Sequence, residues 1–336
     1  MPARVETLPR ACHGAEWLGY ILEDTAGPVR FEVWPQQGFW GASWQVVHPQ
    51  NHDWHELLFT QPDRPLIQQG IPLLFPFPNR IRDGRFTWQG RAWQLPCNDP
   101  SGRHAIHGLV HDQPWQVSRC GLSAEGVPEI AATLTSASLD PQRATLWPGS
   151  FALEAGYRLL GSSLEFSLTV TNTADDRLPF GVGLHPYWRL PPATTRVELA
   201  AGAAEAWQLE DCLPTGQLRP LDAVERVLVE PGTEPLRDRN FDHVFRVMPP
   251  KEKRRIVWRL ISPTLGGVLT MTCSPSFRDY VLYTPPHRQA VSLEPYTCVT
   301  DAINLHSKIW DKAKLLVLDP GSQWRGWVRW QWEWKV

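Results

Sequence analysis

An all-β architecture, a sandwich or barrel of many short strands, is what this sequence of 336 residues predicts. Three observations carry it. Period-two alternation of apolar and polar residues is the commonest pattern, and clusters of Pro, Gly, Asn and Asp interrupt the chain at short intervals. Convincing helical periodicity is nearly absent. The 18 Trp fit either a β-rich core or a surface that stacks on flat ligands such as sugar rings, and composition does not separate the two.

Along the chain, "GASWQVV" (41–47) reads as a strand, followed by candidates at 56–60, 86–95, 115–120 and 128–135. "FALEAGYRL" (151–159) puts Phe151, Leu153, Ala155, Tyr157 and Leu159 on one face. "SLEFSLTVT" (163–171) does the same with Leu164, Phe166, Leu168 and Val170, and the short "LGSS" between them predicts an antiparallel hairpin. Further strands are expected at 195–200, 223–229, 241–247, 255–260, 267–273, 279–283 and 290–294, with a short helix around 299–313. "KEKRR" (251–255) fits a solvated turn between strands. At the C-terminus Trp330, Trp332 and Trp334 alternate with Arg329, Gln331 and Glu333, a half-buried strand with a wide aromatic face. With no internal repeat, low-complexity tract or linker, a single domain over residues 1–336 is expected.

A net charge of -2 with a pI near 6.6 gives no electrostatic footprint for nucleic acid. The N-terminus lacks the apolar region of a signal peptide, and no segment is long and apolar enough to span a bilayer. The six cysteines, at 12, 97, 120, 212, 273 and 298, form no CxxC pair, which argues against a zinc ribbon and a disulfide framework. The expectation is a soluble, cytoplasmic protein with reduced thiols and neither nucleic-acid nor membrane partners.

Several segments place polar groups where the strand pattern calls for apolar ones. "GIPLLFPFPNRIRDGRF" (70–86) presents Asn79 and Arg80 after an apolar stretch whose prolines deny it a central-strand role. A rim loop with a solvated Arg is the plain alternative. "HAIHGLVHDQPW" (104–115) carries His104, His107 and His111, but no helix gathers them, and odd spacings on a strand point to opposite faces. "HPQNHDWHE" (48–56) fails in the same way, so no metal site is expected. "GVGLHPYW" (181–188) delivers His185 from an apolar run into Pro186, Tyr187 and Trp188. A satisfied core histidine is the alternative there to a proton carrier. "VSLEPYTCVTDAINL" (291–305) sets Glu294 behind an apolar strand, where a carboxylate must be paired or face a polar cleft. "NFDHVFRV" (240–247) adds Asp242 and His243.

Together these describe two imidazoles, an Arg, two carboxylates and aromatics at strand ends. GxGxxG and the P-loop are both absent, which speaks against a nucleotide cofactor; GxSxG is missing, and no Ser or Cys has a nucleophile's context. What remains is proton transfer by a His and a Glu on a neutral, hydroxyl-rich substrate, with no cofactor.

This pattern resembles the aldose 1-epimerase (galactose mutarotase) family. The anchors are "FPNRI", "AIHGLV", "GLHPYW", "FDHVF" and "LEPYTCVTDA", in the family's order over most of the chain. The resemblance implies a large antiparallel β-sandwich with a sugar cleft across one sheet. It implies Glu294 as the base that takes the C1 hydroxyl proton and His185 as the acid that protonates the ring oxygen, with His107 beside that oxygen. It also implies Asn79, Arg80, Asp242 and Tyr187 as groups that hold the sugar, a monosaccharide substrate, and a monomer or homodimer. The chain departs from the commonest form: "HGLVHDQPW" replaces a Gly-Gly continuation, Trp188 stands where Phe is usual, and "LEPYTCVTDA" replaces a Gln-containing stretch. The cleft walls therefore differ, and the resemblance names the chemistry rather than the sugar.

Three other readings keep the scaffold or the residues. A sugar-phosphate epimerase would use Arg82, Arg85 and Arg189 on the phosphate. A non-catalytic carbohydrate-binding protein would have no need for both His185 and Glu294. A glycosidase or lyase would pair Asp242 with Glu294 and leave the histidines idle.

Overall fold

The hairpin read from alternation forms as expected. Phe151–Leu160 and Ser163–Asn172 pair antiparallel with Leu160 opposite Ser163, so the alternating apolar residues fall on one buried face. The computed structural model describes residues 3–12, 15–24, 27–229, 234–250 and 255–335. Most of the expected "KEKRR" turn, residues 251–254, lies outside the described residues.

The hairpin sits within an eight-stranded antiparallel sheet that also contains Gln116–Leu122, Pro128–Thr135, Gln323–Trp334, Gly267–Cys273, Val257–Ser262 and Arg196–Ala201. A second sheet carries Leu213–Arg219, Ala203–Glu210, Asp242–Met248, Asp279–Tyr283, Val291–Tyr296, Gly183–Leu184 and Leu73–Leu74 in that order, with Tyr187–Trp188 also paired to Val291–Tyr296. A third, five-stranded sheet runs from Arg4–Cys12 to Trp54–Glu56. The core between the sheets is aromatic: Trp258 meets Tyr280 at 5.6 Å, Trp330 meets Trp188 at 5.7 Å, and Trp188 meets Trp44 at 6.0 Å. The architecture is the all-β antiparallel sandwich that the sequence predicts.

The C-terminal strand shows how tight this layer is. Trp330 and Trp332 are fully buried, and a Cβ at Gly267, opposite Trp334, would stand 2.2 Å from the Trp332 ring. Gly267→Ala is expected to lower stability by about 1–3 kcal/mol through overpacking, read as a lower midpoint in urea unfolding.

Three expected strands do not form as predicted. The 86–95 strand is instead a hairpin, Arg85–Trp88 against Arg91–Gln94, which turns at Gln89 and Gly90 with φ of 48° and 79°. Residues 225–228 make a 3-10 turn, because the Asp222 carboxylate accepts from the backbone N–H groups of Val224 and Glu225 at 2.9 Å each. The 56–60 strand is displaced to Trp54–Glu56, and beyond it the Glu56 carboxylate accepts from the backbone of Leu58 at 2.9 Å. The expected helix forms at Ala302–Ala313. Among the described residues no helix is long and apolar enough to cross a membrane.

Candidate active site

Alternation on three neighbouring strands of the second sheet builds the floor of a cleft of about 790 Å³. In Val291–Tyr296, Val291 and Leu293 enter the main core, while Ser292, Glu294 and Tyr296 turn to the other face. Val281 and Tyr283 share that face on the adjacent strand, with Val281 opposite Glu294 and Tyr283 opposite Ser292. Asp242 lies opposite Tyr283 one strand further on. Asn79, Arg80, His107, His185, Tyr187, Asp242 and Glu294, all seven residues expected at the site, line this one cleft.

His185 and Glu294 are 5% and 2% exposed, and the imidazole Nε2 stands 3.3 Å from Glu294 Oε1. The other ring nitrogen, Nδ1, hydrogen-bonds Ser292 Oγ at 2.9 Å. Tyr187 stacks on the imidazole at 4.4 Å, with its hydroxyl 3.2 Å from Nε2. Glu294 Oε2 accepts a hydrogen bond from the Tyr296 hydroxyl. Burial dominates the electrostatics. It pushes the His185 imidazole down to about 3 and the Glu294 carboxyl well above the usual range, while hydrogen bonds from Tyr296 and Ser292 pull the carboxyl back. Each change favours the neutral partner, so near neutral pH the pair together holds one proton.

A backbone in the left-handed region supplies the opposite wall. Asn79 and His107 have φ of 55° and 67°, and the His107 amide donates to the Asn79 carbonyl at 2.9 Å. Gly108 follows with φ 77°, and a Cβ there would stand 2.2 Å from the Phe75 carbonyl oxygen, so the turn closes only on glycine. The His107 and His185 rings lie 5.4 Å apart, and burial together with His185 keeps His107 neutral. Arg80 donates to Asn79 Oδ1 at 3.2 Å and is 3.5 Å from Asp99. Although Asp99 is buried, the backbone N–H of His104, the Ser101 hydroxyl and the Arg103 N–H hold its carboxyl well below the usual range, which fixes a counter-charge behind Arg80.

Other expectations part company here. His104 turns away, accepting from the Asp83 N–H at 3.1 Å, whereas His111 does line the cleft with His107; that segment is largely loop, so strand alternation does not separate them. His243 faces away from Asp242's side and meets Glu225 at 3.1 Å. Of the three arginines considered for a phosphate, none lines the cleft. Arg82 lies 3.9 Å from Asp301, Arg85 donates to Gln94, and Arg189 donates to the carbonyl of Leu58. Arg64, Gln68, Tyr283 and His287 line it without having been expected. No described tryptophan does; most are buried in the core, while Trp54 is exposed and Trp88 and Trp93 lie on a separate hairpin. Among the described residues no group of three His, Cys, Asp or Glu is placed to hold a metal ion.

The architecture is that of the galactose mutarotase-like sandwiches. It matches a galactose mutarotase-like protein from Clostridium acetobutylicum with a TM-score of 0.83, at 16% identity over 98% of each chain. It matches galactose 1-epimerase from Lactobacillus acidophilus NCFM with a TM-score of 0.72, at 17% identity over 99% of each chain. At such identities the likeness speaks for the fold alone. The aldose 1-epimerase family pattern matches residues 39–331, and the chain belongs to that family. The uncharacterized protein YihR of Escherichia coli (strain K12) is 37% identical over 126 residues, so the chain spans well under half the length of this curated relative.

Proposed function

We propose that the protein is an aldose 1-epimerase that interconverts the α and β anomers of a free monosaccharide. The observation that carries this reading is the His185 Nε2–Glu294 Oε1 contact of 3.3 Å on the floor of a sugar-sized cleft. Glu294 takes the proton of the C1 hydroxyl as His185 gives one to the ring oxygen. The C1–O5 bond breaks and C1 becomes an aldehyde, which turns about C1–C2 and recloses on its other face with the two roles reversed. His107 polarises the ring oxygen, Arg80 and Asn79 hold hydroxyls, and Asp242 and Tyr187 accept from or donate to others. Mutarotation proceeds unaided in water, so a positioned acid and base, about 10²–10⁴-fold, are sufficient apparatus. The placement of Arg82, Arg85 and Arg189 outside the cleft favours a free sugar over a sugar phosphate.

Polarimetry on freshly dissolved α-anomers of glucose, galactose and a pentose tests the reading. Acceleration over buffer is expected for at least one sugar, and none for any of them would overturn it.

The pH dependence follows from the single shared proton. Adding a second proton removes the base, and removing the first removes the acid. Because burial lowers the imidazole to about 3 and raises the carboxyl, the singly protonated pair persists over a wide range. The profile of kcat/KM is expected to stay flat below pH 6.5, where an ordinary histidine would already have titrated. An acid limb centred near 6.5 would contradict it.

A further inference from the structure

Glu294 is flanked on its own strand, two residues to either side, by the two groups that hold the acid–base pair from behind. Ser292, completely buried, bonds His185 Nδ1, and Tyr296, completely buried, bonds Glu294 Oε2. The bond from Ser292 to the imidazole is at Nδ1 and the bond from Tyr296 to the carboxyl is at Oε2, whereas the pair meets through Nε2 and Oε1. Tyr296 is no accident of packing. It lies opposite Gly183 in register, and a Cβ on Gly183 would stand 2.5 Å from the Tyr296 ring. The "GVGLHPYW" segment that carries the acid is thus shaped to admit this ring.

The pair has two singly protonated forms: neutral imidazole with carboxylic acid, and imidazolium with carboxylate. Only the second has a proton on Nε2 for a ring oxygen and a free base for the C1 hydroxyl. Burial favours the first. A phenol that stays protonated, as burial and the neighbouring Glu294 ensure for Tyr296, is a strong donor to a carboxylate and a weak one to a carboxylic acid.

We propose that Tyr296 is a positioning residue that shifts the shared proton from Glu294 to His185, with Ser292 fixing the imidazole to receive it. This rests on the epimerase reading for its effect on turnover, but not for its effect on the proton. The groups that face the carboxyl besides these are Tyr187 and Tyr283 from the adjacent strands and Asp242 at the start of its strand. Arg80 faces it from the short strand Arg80–Ile81 and Arg64 lines the same cleft from a loop, with His107 beyond His185.

Tyr296→Phe keeps the ring and removes the donor. In protein labelled with [15N]histidine, with His185 assigned by its loss in His185→Asn, both His185 nitrogens are expected to move towards neutral-imidazole shifts in the variant. kcat is expected to fall about tenfold with KM unchanged. The alkaline limb of kcat/KM is expected to move up, because the deprotonated pair loses the donor to its carboxylate. Unchanged 15N shifts overturn the proposal whether or not any sugar turns over. Native activity that Tyr296→Phe leaves intact, with the same alkaline limb, overturns it while sparing the epimerase reading. Gly183→Ala displaces the same hydroxyl without deleting it; it is expected to move the His185 shifts the same way, and it serves if Tyr296→Phe does not fold.

Discussion

Glu294→Gln is expected to abolish the acceleration of anomer exchange and to leave the protein folded. The amide has the carboxyl's shape, and its oxygen still accepts from the Tyr296 hydroxyl, but it cannot take up a proton. The loss expected in polarimetry is about 10²–10⁴-fold, the share of the rate a positioned base supplies. Stability should move the other way. Burial raises the Glu294 carboxyl above its unfolded value, so this group weakens the fold once the pH exceeds that unfolded value, and not below it. The variant's Tm relative to native is therefore expected to rise between pH 4 and pH 7.5. A variant that loses activity only because it unfolds would show the opposite order.

His185→Asn carries the second large effect. Its amide nitrogen can stand in for Nδ1 towards Ser292, but nothing replaces Nε2, so the ring oxygen loses its donor. A loss of about 10²–10⁴-fold is again expected. Because one proton serves both groups, the double variant with Glu294→Gln should be no slower than either single one, within the error of the assay. Multiplying losses would mean that acid and base act independently, and the shared-proton account would fail.

Much of the site was legible because its residues follow strand ends, where an apolar run stops on a titratable group. "GVGLHPYW" and "VSLEPYT" show this most plainly, and all seven expected residues meet in one cleft. Ser292 and Tyr296 share a face with Glu294, since they lie two residues to either side on one strand, but uncharged residues do not interrupt the strand pattern as a carboxylate does. Arg64 and His287 belong to loops without periodicity, and nothing local marks them as cleft residues.

The strands without a periodic signal have physical reasons too. Arg4–Cys12 contains Pro9 and polar residues, which suits the edge position it occupies. The hairpin of Ala203–Glu210 and Leu213–Arg219 turns through Asp211 and Cys212 at φ 53° and 62°, without the glycine that usually signals such a turn. In 223–229 apolar alternation was outweighed by a side-chain cap, an effect of one carboxylate that periodicity does not weigh.

The absence of every described tryptophan from the cleft makes this protein an unusual optical object. Its buried indoles, Trp188, Trp258 and Trp330 among them, report on whether the sheets are packed, while the aromatic rings on the cleft walls are tyrosine and histidine. Indole emission should therefore follow denaturation with a large, clean amplitude and stay nearly blind to a sugar entering the cleft. A melting curve recorded in this way can be compared between free and sugar-loaded protein without correcting for quenching by the ligand.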